Sequence, residues 1–229
     1  MKQGTAIITL ILAGLLAPAA MAADGQQLVQ NDCAGCHALE RPAYEELGIA
    51  ERAERKGPPL YYAGNKFRRE WLGQWLQDPE RLRPAGIYPH RAAQASAEFD
   101  EINPETLIQH PRLDPAEASA AAEFLMTLRA HDDLIEATSY EPGTIAARMG
   151  QLNFSKFNGC DSCHSDEPGY GGVSGPELYT AWQRLQPRFI ASYIADPVAW
   201  DPHTLMPASD LNEAAVERLS NYLRLIGEE

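Results

Sequence analysis

Cysteine is scarce in this 229-residue chain, and none of it is spare. All four cysteines fall in two copies of one pattern, Cys33-Ala-Gly-Cys36-His37 and Cys160-Asp-Ser-Cys163-His164. Nothing is left over for a disulfide framework, or for the extra ligands a zinc finger needs at its own spacing. Basic residues are scarce as well: 19 Lys and Arg stand against 32 Asp and Glu, a net charge of −13. Such a surface repels nucleic acid and anionic lipid and steers toward partners with a basic docking face. Long apolar runs are missing beyond the N-terminus, where no segment nears the roughly 18 residues that a membrane span requires. Strand-like alternation of useful length is missing too, which leaves helices to carry the fold.

What is present begins with Lys2, an apolar run from Ala6 to Ala17, and Ala20-Met21-Ala22. That is the three-part form of a secretory signal with a small-residue cleavage site. The expectation is a signal peptide over residues 1–22, a mature chain starting near Ala23 or Asp24, and a periplasmic location. Loss of Lys2 leaves 18 basic against 32 acidic residues, spread evenly along the chain.

Cys-x-x-Cys-His is the attachment pattern of a c-type haem. Two thiols a helical turn apart can form thioethers to the two vinyl groups of one porphyrin, and the following histidine can bind the iron. A thioredoxin-type pair has no need of that histidine. The chain is thus expected to carry two haem c groups. One is on Cys33, Cys36 and His37, the other on Cys160, Cys163 and His164.

An internal repeat supports two copies. Gly57-Pro58-Pro59-Leu60-Tyr61 matches Gly175-Pro176-Glu177-Leu178-Tyr179 at an offset of 118. The same offset pairs Trp71-Leu72 with Phe189-Ile190, Trp75-Leu76 with Tyr193-Ile194, and Asp78-Pro79 with Asp196-Pro197. Apolar spacing predicts helices through Trp71–Leu76 and Phe189–Ile194, each stopped by its Asp-Pro, and final helices starting near Asp114 and Asn212. The expected organisation is a first domain over 23–130, a polar linker over 131–143 and a second domain over 144–229.

With both motifs, both Gly-Pro-x-Leu segments and Met206-Pro207, the chain resembles the two-domain dihaem c-type cytochromes. Each half is similar to a class I cytochrome c. The resemblance implies an all-α fold of two tandem helical domains, each wrapped around one covalent haem. It further implies that the carbonyls of Pro58 and Pro176 accept a hydrogen bond from His37 and His164, fixing each ring and raising its basicity. Met206 lies in the loop where the family presents the sixth ligand, and is expected to complete the second iron. Met126 is expected to be a surface or packing residue, and Met149 to lie on a packing helix.

The first half has no such methionine. The 118 offset puts Tyr88-Pro89 in its place, whereas alignment from the final helix shows about twenty extra residues and brings His110-Pro111 there. The extended loop, about residues 85–112, also holds His90. His110 is the first candidate for the distal ligand, with His90, Tyr88 and an open iron as alternatives. His131 and His203 are expected at the surface.

Thioether ligation raises an iron potential and bis-imidazole ligation lowers it. The resemblance therefore implies an exported electron carrier, passing electrons from the first haem to the second and on to a redox protein partner. Two other functions stay open: a haem enzyme acting on peroxide or a small oxoanion at an open first iron, and the cytochrome subunit of a larger oxidoreductase. The basic stretch of Arg52, Arg55, Lys56, Lys66, Arg68 and Arg69 is either an entry face for an acidic donor or a set of haem propionate partners. Tyr88, Arg81, Arg83 and Arg91 are candidates to line a distal pocket at an open first iron, the arginines being otherwise a solvated basic stretch or propionate partners.

Overall fold

The computed structural model describes residues 25–95 and 101–228; the expected signal peptide lies outside the described residues. Most of the ordered secondary structure is helical, as the missing alternation predicts. In the first half, residues 25–28 are helical and run into a π-turn at Val29–Cys33, directly before the first motif. Short helices follow: α1 (Ile49–Ala53), α2 (Ala63–Lys66) and α3 (Arg69–Trp75). The long helix α4 (Pro115–Thr127) closes this half. Asp114 caps it in full: its carboxylate accepts from the backbone N–H groups of Ala116 and Glu117, and Glu117 reaches back to the Asp114 N–H. Gly25 lets the first helical turn cross α4 directly against the Ala120 carbonyl.

The second half repeats the plan with α6 (Ala147–Leu152), α7 (Ala181–Arg184), α8 (Pro187–Ala195), α9 (Pro197–Trp200) and α10 (Glu213–Glu228). Along α10, Val216, Leu219, Tyr222 and Leu223 form the buried stripe that the 3.6-residue period calls for. Two minimal hairpins, Ala93–Gln94 with Glu101–Ile102 and Ser165–Glu167 with Tyr170–Gly171, are the only strands among the described residues.

The segment 131–143 is not the solvated spacer that its polarity suggested. It holds a further helix, α5 (Asp132–Glu136), and His131 and Tyr140 are both buried. His131 lies against Tyr61, Tyr62 and Trp200, and its Nε2 donates to the Trp200 carbonyl over 3.2 Å. A short polar run gives no sign of this, because the partners of His131 lie about 70 residues away on both sides. Met149 stands 46% exposed on α6, whose inward side is taken by Gly150 against Tyr222.

The halves meet through equivalent residues. Phe67 and Leu185, 118 apart, form an isolated antiparallel bridge. On either side the Arg68 N–H donates to the Arg184 carbonyl, and the Gln186 N–H donates to the Lys66 carbonyl, each over 2.9 Å. Those pairs interchange under the same offset, so the contact is locally two-fold, as an antiparallel pair must be. One apolar core runs through it, from Val29, Leu60, Tyr62, Leu72 and Leu125 to Leu185, Phe189, Trp200 and Leu223. Trp200 is fully enclosed, and truncating a core tryptophan costs about 3–5 kcal/mol.

Candidate functional site

Each Cys-x-x-Cys-His segment folds into one tight turn. The His37 N–H donates to the Cys33 carbonyl and the His164 N–H to the Cys160 carbonyl, both over 3.0 Å. The turn sets two sulfurs and an imidazole in a fixed relation, and all four thiols are free. Burial pushes the Cys33 thiol up, and the Cys160 thiol up to about 11. Among the described residues, no three His, Cys, Asp or Glu side chains gather as a metal cluster, so the motifs do not pool their ligands in the manner of a zinc site.

The two histidines are held identically. His37 Nδ1 donates to the Pro58 carbonyl, and His164 Nδ1 to the Pro176 carbonyl, each over 2.7 Å. Glycine precedes each proline for a steric reason. A Cβ on Gly57 would lie 2.5 Å from His37 Cε1, and one on Gly175 would lie 2.5 Å from His164 Cε1. With Nδ1 committed, only Nε2 is free to bind iron. Burial lowers both imidazoles' pKa, favouring the neutral form a metal requires.

Opposite His37 stands His110. Their ring centres are 6.3 Å apart, and His110 packs edge-on against Trp75 at 4.6 Å. His110 Nδ1 donates to the Pro111 carbonyl over 2.8 Å, so here again Nε2 is the free nitrogen. A metal–imidazole bond of about 2.0 Å, plus about 1.1 Å from nitrogen to ring centre, sets two rings on one metal about 6.2 Å apart. The 6.3 Å between the two ring centres is close to that figure. The other two candidates lie elsewhere. The Tyr88 hydroxyl donates to the Arg52 carbonyl while its ring lines the cavity of the second motif, and His90 is exposed beside Tyr88.

In the second half a cavity of about 280 Å³ is lined by Cys160, Cys163, His164, Leu178, Phe189, Met206 and Leu219. Met206 thus shares a cavity with His164. Its loop is pinned by Thr204, whose hydroxyl accepts from the Met206 N–H at 3.2 Å and bonds the Tyr193 hydroxyl at 2.9 Å. The first half contributes to this cavity: Arg55, Lys66, Arg83 and Tyr88 line it together with Arg184. Arg184 is paired with Glu177 and Arg55 with Asp201. Lys66 and Arg83 form no ion pair among the described residues, although both are half-buried and line the cavity. Burial, with Arg83 and Arg184 alongside, pushes the Lys66 ammonium down to about 7. Two such cations fit a group that brings carboxylates, as a porphyrin does with its propionates.

Much of the basic stretch is engaged within the protein. Lys66 turns into the cavity, Arg68 Nε donates to the Trp182 and Leu185 carbonyls, and Arg69 pairs with Glu123. Arg52 and Lys56 are exposed, and the Arg69 side chain keeps 42% of its surface beside Glu123. Arg81 and Arg91 are exposed as well, whereas Arg83 points inward. Sequence reasoning missed Asp201 and His203. Asp201 is buried under Arg55, and the His203 ring stands edge-on to Tyr44 at 4.7 Å rather than free at the surface. Neither carries a motif, and only their closeness to Met206 hinted at a role.

A family model described as Cytochrome c matches residues 22–129. Neither a search of curated proteins nor one of solved structures found a match. Residues 22–129 are a cytochrome c domain, which implies covalently bound haem c with iron and haem-based electron transfer. No helix among the described residues is long and apolar enough to cross a membrane.

Proposed function

We propose that the chain is a periplasmic dihaem electron carrier, with one covalent haem in each half and different ligands on the two irons. The single observation that carries the second haem is the reproduction of the first half's proximal apparatus. His164, Pro176 and Gly175 repeat His37, Pro58 and Gly57 down to the 2.7 Å hydrogen bond and the close glycine. A haem iron bound at each motif supplies one-electron transfer and needs no side-chain chemistry.

On this reading Cys33, Cys36, Cys160 and Cys163 anchor the porphyrins, and His37 and His164 are the proximal ligands. The 6.3 Å ring separation supports His110 as the distal ligand of the first centre. The shared cavity supports Met206 for the second. Lys66 and Arg83 neutralise propionates at the second centre. A His/His centre beside a His/Met centre gives a lower and a higher potential, so electrons enter at the first and leave from the second. An acidic surface suits a redox protein partner with a basic docking face.

Mass spectrometry of the exported protein tests the haem count. The expected mass is the chain without its signal plus two haems, and Cys160→Ala with Cys163→Ala should leave one. A native mass with a single haem would end the dihaem reading.

A further inference from the structure

The two iron sites are not independent in this fold, because one side chain touches the supports of both. Arg55 extends from the loop before Gly57. Its Nε donates to the Gly57 carbonyl over 3.1 Å, and Gly57 is the residue pressed against the His37 ring. The other end of the same guanidinium belongs to the second half. One terminal nitrogen meets the Asp201 carboxylate at 2.6 Å, and the other donates to the His203 carbonyl over 3.4 Å.

From there the contacts continue to Met206. Asp201 accepts from the His203 N–H over 3.1 Å, the Thr204 N–H donates to the Asp201 carbonyl over 2.9 Å, and Thr204 holds the Met206 N–H. His203 clasps the first half by its ring on Tyr44. Asp201 is nearly fully buried and Arg55 largely so, so this pair sits where ionic hydrogen bonds are least screened. A lysine could not replace it: only the planar fork of arginine can serve three acceptors in different directions.

We propose that Arg55 is a positioning residue that couples the two iron sites, its guanidinium bracing the Met206 loop of the second through Asp201 and His203 while its Nε braces the Gly57–Pro58 support of His37 in the first. The inference rests on the ligand assignment proposed above. Its consequence is reciprocal: loosening the Arg55 end must disturb both centres, since a coupling free energy between sites acts in both directions.

The test uses the full-length holoprotein. It follows the methionine-to-iron charge-transfer band of the second centre while imidazole is titrated in, together with the potential of the first centre. Arg55→Met should let imidazole displace Met206 roughly 5- to 150-fold more readily, the range of ordinary coupling energies, and should shift the first-centre potential too. Arg55→Lys keeps the charge but not the fork, so positioning predicts that it behaves as Arg55→Met does. Wild-type behaviour in Arg55→Lys would mean that charge alone matters and would overturn the proposal. Asp201→Asn, which leaves Nε on Gly57, should weaken Met206 with a smaller effect on the first centre. If Arg55→Met fails to load haem, Arg55→Lys and Asp201→Asn decide. Imidazole affinities within about twofold of wild type in both would refute the coupling. A wild-type protein without the methionine band would instead remove the ligand assignment, and this proposal with it.

Discussion

Three imidazoles in this chain give their Nδ1 proton to a proline carbonyl: His37 to Pro58, His164 to Pro176 and His110 to Pro111. Such a bond selects the tautomer and leaves Nε2 as the free nitrogen, and bonds of this kind set the orientation and basicity of a metal-ligating histidine from outside the coordination sphere. For His110 the bond is local, to the next residue, and Trp75 supplies the wall. We expect His110→Ala to turn the first centre high-spin and able to bind carbon monoxide, seen in the ferrous absorption spectrum. His90→Ala and Tyr88→Phe should leave it low-spin. Lys66 gives a pH test. In a Cys160→Ala, Cys163→Ala chain, its folded value of about 7 lies below the ordinary value of 10.5. The unfolded chain then binds the extra proton between those limits, so stability should rise with pH from about 7 toward 10.5. Denaturant midpoints across that range should show the rise, and Lys66→Met in the same background should abolish it.

The helices were legible where apolar spacing and a cap coincide. Asp114 and Asn212 both cap as their position suggests, and the helices ending in Trp75 and Ala195 lie on the predicted Trp and Phe-Tyr stripes. Asp114→Ala removes a complete capping box and should cost about 1 kcal/mol, typical of a lost N-cap. For a chain this long that is about 2–4 °C in Tm, readable by calorimetry. An unchanged Tm would mean that α4 is held by its packing alone. What could not be read was every element whose partners are remote. The α5 segment looked like a linker because polar residues dominate it, yet Asn65 donates to Asp132 over 2.7 Å and His131 closes the core from the side. Periodicity reports which face is buried and carries no information on what covers it. Met149 shows the converse, since it is an apolar residue on a packing helix and lies at the surface.

At the scale of the molecule, the offset of 118 that leads us to expect a duplication also relates the residues through which the two halves touch. They meet at Phe67 and Leu185, the same position in each. That arrangement shows where the first half's cations are used. A run of Arg and Lys resembles a docking patch only while its surroundings are unknown; here it lies at the seam, with Lys66 and Arg83 completing the second half's cavity. The attachment motifs we propose can be read from the sequence directly, because covalent chemistry ties them to spacing. The distal ligands we propose can be read only in outline, because a loop of changed length loses its register. The central claim is that one chain holds two differently ligated haems, and near-infrared magnetic circular dichroism of the oxidised protein tests it most directly. The account predicts two low-spin ferric charge-transfer bands of comparable intensity, one of the bis-imidazole type and one of the imidazole–thioether type. A single ligand type, or a high-spin signal from either haem, would contradict it.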